Sequence, residues 1–204
     1  SSAASDVYKR QGMHIRVVSP SASIEHIGGF EANLAAKERL EKLGFTVSFS
    51  KHYLENDMLG SASIESRVAD IHAAFSDDSV DAILATIGGF NCNELLPYLD
   101  FELIARNPKI FCGYSDTTAL LSAIYSKTGM KTYMGPSYSS FKMDALQDYQ
   151  TESWLKAVSQ TSYELTPSEK WGSNAWYLPD APLTFHETEW KVYNHGKAQA
   201  TVIG

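Results

Sequence analysis

The sequence predicts an open, doubly wound α/β domain with a parallel sheet, extending over residues 13–140. Between residues 13 and 136, short β-rich runs alternate strictly with helical patterns, and the β-rich runs are almost continuously apolar. Such strands belong to parallel sheets that are covered by helices on both faces. Their crossover connections are right-handed, and their ligands bind beyond the carboxyl ends of the strands.

Five strand-like runs are predicted, each ended by Pro, Gly or polar residues: residues 14–19, 46–50, 81–87, 109–113 and 131–134. The helix predicted over 30–43 carries Ala36, Leu40 and Leu43 on one face and has Gly44 just past its end. Apolar residues at helical spacing predict further helices over 63–75 and 117–127, with a short one at 94–98. This alternation predicts a sheet of the flavodoxin-like type.

The character of the chain changes after residue 140. We expect a helix within 144–159, and an aromatic- and Pro-rich linker or small β elements from 161 to 197. Residues 198–204 resemble the first strand of a truncated second domain, mainly β in structure. Residues 1–12 are small, polar and aperiodic, and we take them as a non-native leader or sequencing read-through.

Composition excludes several classes of function. The chain is 44% hydrophobic and 20% charged with a net charge of −7, which is typical of globular domains and unsuited to a broad nucleic-acid surface. Two cysteines form no disulfide framework, and no apolar run is long enough to span a membrane. We therefore expect a cytoplasmic protein with neither nucleic acid nor membrane as a partner.

The segment 109–124 is typical of a nucleophile elbow. A buried strand runs through Gly113 and Tyr114 to Ser115 and then directly into a helix, which would project the serine hydroxyl above the sheet. Thr117 stands where the G-x-S-x-G pattern has its second glycine. The alternative is that Ser115 or Asp116 only caps the helix, which is the commoner use of Ser and Asp at that position.

Gly88 and Gly89 follow a neighbouring predicted strand and leave backbone N–H groups open to a ligand. A serine beside such a pair is the minimum for acyl transfer, with a nucleophile and an oxyanion hole. A plain turn is the alternative. The general base is missing from the pattern: of six histidines, His26 lies in the loop at the right end of the sheet and is the one candidate to test.

Cofactor and metal chemistry have little support in the sequence. Neither G-x-G-x-x-G nor G-x-x-x-x-G-K-[ST] occurs, and no His, Cys or carboxylate cluster has the spacing of metal ligands. We expect no cofactor and no metal. A non-catalytic small-molecule binding domain on the same scaffold remains an open alternative to a hydrolase.

Four segments together resemble the LD-carboxypeptidase family of serine peptidases. They are residues 17–21 (VVSPS), 86–100 (TIGG with ELLPYLD), 113–121 (GYSDTTALL) and 135–137 (GPS). The tail, with residues 166–171 (TPSEKW), Trp176, Trp190 and residues 196–198 (GKA), is most similar to the microcin C self-immunity branch.

The resemblance implies a Ser-Glu-His triad with Ser115 as nucleophile and the N–H groups of Gly89 and Asp116 as the oxyanion hole. It implies substrate contacts from Gly88, Trp171 and Trp176, the tryptophans either stacking on a nucleobase or packing the domain junction. The family's Glu and His would follow Gly204, so this chain alone would be inactive or nearly so.

The resemblance further implies a substrate amide beside a free carboxylate. The candidates are an aminoacyl-nucleotide or related peptide and, as an alternative, a murein tetrapeptide. A homodimer is expected for the full-length protein.

Overall fold

The computed structural model describes residues 12–174 and 183–199. Its centre is a parallel five-stranded sheet in the order β2-β1-β3-β4-β5. The strands are β1 (His14–Val18), β2 (Thr46–Phe49), β3 (Ala82–Ala85), β4 (Ile110–Gly113) and β5 (Tyr133–Met134). This order is the flavodoxin-like one, so the predicted fold class is confirmed. The order reverses between β1 and β3, where doubly wound sheets open a crevice for ligands.

Six α-helices occur in the described residues: α1 (Gly29–Ala32), α2 (Leu34–Lys42), α3 (Ile64–Ser76), α4 (Phe101–Arg106), α5 (Thr118–Thr128) and α6 (Gln147–Ser159). Short 3-10 helices span Ile24–Ile27, Cys92–Tyr98, Ser115–Thr117 and Tyr138–Lys142. The single helix expected over 30–43 is wrong, because it is interrupted at Asn33. The buried Asn33 side chain donates instead to the carbonyls of Ile27 and Gly29.

The side chains of the sheet alternate between two cores, which explains the continuously apolar strands. Val17, Leu84 and Cys112 face α2 and the aromatic residues that follow β5. Val18, Ile83 and Phe111 face α3, α4 and α5. Because helices cover both faces of the sheet, the surfaces left for ligands lie at the carboxyl and amino ends of its strands.

The tail forms small β elements, one of the two structures predicted for it. β6 (Lys170–Trp171) pairs antiparallel with β7 (His186–Glu187) in a separate two-stranded sheet. Trp176 and most of the predicted strand at 198–204 lie outside the described residues, as do residues 1–11. The domain boundaries therefore stay predictions. In the described residues, no helix combines the length and the apolar character needed to cross a membrane.

Candidate active site

Ser115 lies at a sharp bend between β4 and α5. The strand ends at Gly113, and a 3-10 turn (Ser115–Thr117) leads directly into α5. Ser115 is exposed and has a φ of 58°, a left-handed conformation that costs a non-glycine residue about 1–2 kcal/mol. Such strain is typical of functional sites and of the nucleophile elbow in particular. The tight bend predicted from the sequence is present.

Gly113 and Thr117 explain why this elbow departs from G-x-S-x-G. A Cβ on Gly113 would lie 2.9 Å from both the Ala85 Cβ and the Thr117 Cγ2, so glycine lets the helix approach the sheet. Thr117 has an ordinary helical φ of −58° and is buried. A threonine therefore fits where the pattern has its second glycine.

The two glycines after β3 pass directly beside Ser115. A Cβ on Gly88 would lie 2.8 Å from the Ser115 Oγ, and a Cβ on Gly89 would lie 2.1 Å from the Ser21 Oγ. In residues 12–174 and 183–199, the backbone N–H groups of Gly89 and Asp116 donate no hydrogen bond. Two residues next to the exposed serine therefore carry N–H groups without an acceptor, and donors of this kind are what an oxyanion hole needs.

The Asp116 side chain connects three loops. Its Oδ2 accepts hydrogen bonds from the Ser21 Oγ at 2.5 Å and from the Cys92 backbone N–H at 2.9 Å. Burial tends to raise the pKa of Asp116, but hydrogen bonds from Ser21 and from the Cys92 and Asn91 backbones outweigh it and hold the pKa below its ordinary value. The carboxylate is ionised at neutral pH.

Arg67 of α3 supports the same loops from beneath. It is 3% exposed and donates to the carbonyls of Pro20 (3.2 Å) and Asn91 (3.1 Å), and to the Glu94 carboxylate at 2.9 Å. One guanidinium thereby ties the loop after β1 to the loop after β3, which carries the glycine pair. Its Nε has no partner in the described structure.

A cleft of about 440 Å³ opens beside Ser115. Its other lining residues include Tyr114, two methionines, Gly135, Pro136, Ser140 and Gln150. None of these side chains is charged. Ser115 therefore borders a space large enough for part of a peptide-sized substrate.

The structure does not bring a general base to Ser115 in the described residues. His26 is exposed, and its ring packs beside Gly60 rather than bonding to Ser115. His52 binds the Asp70 carboxylate at 2.8 Å, and His72 accepts from the Asp100 N–H. His26 is thus not supported as the base.

The two tryptophans predicted to contact substrate have different outcomes. Trp171 is 52% exposed and lies against His186, with ring centroids 4.9 Å apart and ring planes tilted by 34°, whereas Trp176 is outside the described residues. In the described residues, no cluster of three or more His, Cys, Asp or Glu side chains is arranged to hold a metal. Burial raises the pKa of the Cys112 thiol to about 12 and raises that of Cys92 as well, so neither is a prepared nucleophile.

The sequence marked Ser21 only as part of the segment 17–21, and it marked neither Asn91 nor Arg67. Ser21, Asn91 and Arg67 contact residues that are distant in the chain, with separations of up to 95 positions. Ser21 does lie in the loop after β1 that was expected at this edge. Arg67 had one signal in the sequence, since a charged side chain occupies a helix that is otherwise mainly apolar on its inner face.

Comparison with known proteins identifies the family. A family model described as the LD-carboxypeptidase N-terminal domain matches residues 15–135. YocD of Bacillus subtilis is 46% identical over 197 residues, covering 96% of this chain and 60% of that protein. The probable murein peptide carboxypeptidase of the same organism is 35% identical, and the match covers 62% of this chain and 40% of that protein. The chain belongs to the LD-carboxypeptidase family.

Solved structures agree with this assignment. An MccF-like protein from Bacillus anthracis superimposes with a TM-score of 0.85 at 48% identity, covering 88% of this chain and 55% of that one. The microcin C7 self-immunity protein MccF, in complex with aspartyl sulfamoyl adenosine, superimposes with a TM-score of 0.79 at 33% identity, covering 87% and 55%. The chain spans little more than half the length of these proteins.

Proposed function

We propose that the protein is a serine hydrolase that cleaves an amide bond, with Ser115 as its nucleophile. The observation that carries the proposal is the exposed, left-handed serine beside the uncommitted N–H groups of Gly89 and Asp116. A serine that only capped α5 would need neither the backbone strain nor the glycine pair against its hydroxyl. The family assignment supports the same chemistry.

In the proposed mechanism, the Ser115 Oγ attacks the substrate carbonyl and gives up its proton to a general base. The resulting oxyanion accepts hydrogen bonds from Gly89 and Asp116, each worth about 10²–10³-fold in rate in comparable sites. Collapse of the tetrahedral intermediate expels the amine, which takes the proton, and water then hydrolyses the acyl-enzyme. We propose that a Glu–His pair in the part of its relatives that this chain does not cover supplies the base, as the family resemblance implies.

We propose an aminoacyl-nucleotide or a related peptide-type amide as the substrate. MccF has been solved with aspartyl sulfamoyl adenosine, and a variant of MccF in which phenylalanine replaces a tryptophan has been solved with adenosine monophosphate. An exposed tryptophan is a suitable platform for a nucleobase. Trp171 presents such a ring, with His186 against it, and Trp176 is a second proposed platform.

Murein tetrapeptide cleavage is the second candidate. It is favoured by a relative named as a probable murein peptide carboxypeptidase. A third candidate is a binding domain that turns over no substrate. We propose that the whole protein forms a homodimer and needs no cofactor.

The test is hydrolysis by the full-length protein of two substrates, an aminoacyl-sulfamoyl adenosine and a murein tetrapeptide. We expect turnover of the first to be faster, and Ser115→Ala to abolish both while leaving the folded circular-dichroism spectrum unchanged. Faster turnover of the tetrapeptide would favour the second candidate. Ligand-induced stabilisation with no turnover of either would favour a binding domain.

A further inference from the structure

We propose that the Asp116 carboxylate is a positioning residue, which holds the Gly89 N–H in place to receive the oxyanion formed at Ser115. The inference rests on the proposed function, and it assigns a role to the side chain that is separate from the role of the Asp116 backbone N–H. It follows from where the hydrogen bonds of this carboxylate go.

A simple helix cap would accept hydrogen bonds from N–H groups of its own helix. Asp100 does so at the start of α4, where its Oδ1 accepts from the Leu103 N–H at 2.8 Å. Neither the 3-10 turn at Ser115 nor α5 has a side-chain cap of this kind. The Asp116 carboxylate instead bonds to two loops that come from β1 and β3.

The loop after β3 is held by hydrogen bonds on both sides of Gly89, one of which is made by the Asp116 carboxylate. On its upstream side, the Gly88 carbonyl accepts from the Ala22 N–H at 3.2 Å. On its downstream side, the Cys92 N–H donates to the Asp116 Oδ2 at 2.9 Å. Gly89 is therefore held at both ends, and its downstream attachment is to the residue that follows the nucleophile.

Ser21 extends this control to Gly89 itself. Its Oγ donates to the same Oδ2 at 2.5 Å, and it lies so close to Gly89 that a Cβ there would approach it to 2.1 Å. The Ser21 hydroxyl thus packs directly against Gly89, and its hydrogen bond to the Asp116 carboxylate fixes the orientation of this hydroxyl. Hydrogen bonds to an ionised acceptor are about twice as strong as hydrogen bonds between neutral groups. Such strong bonds suit the Gly89 backbone, whose N–H must stay in place during catalysis.

The test compares Asp116→Ala and Asp116→Asn with Asp100→Ala in the full-length protein, with kcat and KM measured separately. We expect Asp116→Ala to lower kcat by about 10²-fold, the effect of losing one oxyanion donor, with KM within about threefold of wild type. Asp116→Asn keeps one acceptor oxygen for Ser21 and Cys92, so we expect a loss of about tenfold. Asp100→Ala removes a cap and should lower the melting temperature without changing kcat.

A double variant tests whether Ser21 acts through Asp116. Ser21→Ala should lower kcat by about tenfold, and Ser21→Ala/Asp116→Ala should be no slower than Asp116→Ala, since both changes remove the same support. Fully additive losses would contradict the inference. If Asp116→Ala does not fold, Asp116→Asn and Ser21→Ala decide the question.

The outcomes separate the two proposals. If wild type is active, Ser115→Ala is inactive and Asp116→Ala keeps kcat within threefold of wild type, the positioning role is wrong and the hydrolase stands. An effect of Asp116→Ala on KM and melting temperature alone would also overturn the positioning role. If wild type turns over no substrate, or Ser115→Ala retains activity, the proposed function itself fails, and the positioning role fails with it.

Discussion

Two clefts of nearly equal size lie at opposite ends of the sheet, and they differ in what their polar groups are doing. The cleft at the carboxyl ends, about 440 Å³, contains Ser115. The groove at the amino ends, about 450 Å³, is lined by residues that include Asp81, Lys109, Lys131 and Tyr133. Volume therefore does not distinguish a candidate site from an ordinary surface groove.

Lys109 and Ser115 show how the two ends differ. At the amino end, the Lys109 ammonium already donates to the carbonyls of Asp77 (2.8 Å) and Val80 (2.6 Å), and it closes the start of β4 against the neighbouring loop. At the carboxyl end, the hydroxyl of Ser115 is exposed on a strained backbone, and two N–H groups beside it have no acceptor in the described structure. Unused hydrogen-bonding capacity held rigidly in place is what a transition state can exploit.

The largest expected effect separates these two ends directly. In the full-length protein, Ser115→Ala should reduce kcat by at least about 10⁴-fold, because loss of the nucleophile in serine peptidases costs on the order of 10⁶. Lys131→Ala, in the amino-end groove, should leave kcat unchanged. A loss of activity in Lys131→Ala comparable to that in Ser115→Ala would contradict the assignment of the site to the carboxyl end.

Glycine replacements test how tightly the loops at the carboxyl ends of the strands are packed. Gly89→Ala should lower kcat by about 10²–10³-fold and destabilise the fold by about 3 kcal/mol, because its Cβ would meet the Ser21 Oγ and the Ala22 N within 3 Å. Gly129→Ala is the matched control, since Gly129 also has a positive φ (72°) but has no neighbour within 4 Å of a Cβ. It should cost only about 1–2 kcal/mol in urea unfolding, with activity retained. Equal effects of the two would count against the close approach at Gly89.

Two of the arginines that pair with a carboxylate, one buried and one exposed, provide a third comparison. Arg67→Met removes a guanidinium that is 3% exposed and joins the loops after β1 and β3, so we expect a loss of about 3 kcal/mol in the free energy of unfolding. Arg106→Met removes a side chain that is 67% exposed, whose pair with Glu102 is 3.6 Å long. That change should cost less than about 0.5 kcal/mol. Similar losses for both, by denaturant titration, would argue against Arg67 as the link between the loops.

The smallest effect concerns acid stability. The folded-state pKa of Asp116 is below its ordinary value of 3.8, so its stabilising contribution is fully present above that value and is lost as the pH falls through the folded pKa. The stability difference between wild type and Asp116→Asn should therefore be constant near neutral pH and shrink below about pH 4. Chemical denaturation at several pH values measures it, and a difference that grows on acidification would have the wrong sign.

Local patterns in the sequence predicted most of the fold. All five strands and the helices α3 and α5 were expected from apolar periodicity, because burial on both faces of a sheet leaves a strong local signal. Helix α4 was missed because six residues, Phe101–Arg106, carry less than two turns of pattern. The interruption at Asn33 was missed because it depends on the hydrogen bonds of a buried side chain, which a pattern of apolar residues does not contain.

The candidate site was predictable only in part. Ser115 and the glycine pair carry a local signature, since a strand-to-helix bend and a double glycine both appear as short motifs. For the Asp116 side chain the sequence offered only the alternative of a helix cap, and its observed partners, Ser21 and Cys92, are brought to it by the sheet order. The search for a base led to His26, which the structure does not support, because position at the correct edge of a sheet does not specify contact with Ser115.

The central claim is that Ser115 is the nucleophile, and covalent labelling tests it most directly. The full-length protein would be treated with a serine-directed phosphonate, digested and analysed by mass spectrometry, with Ser115→Ala in parallel. We expect one adduct per chain, on the peptide that contains Ser115, and no adduct in the variant. An adduct on another residue, or labelling that survives Ser115→Ala, would contradict the account.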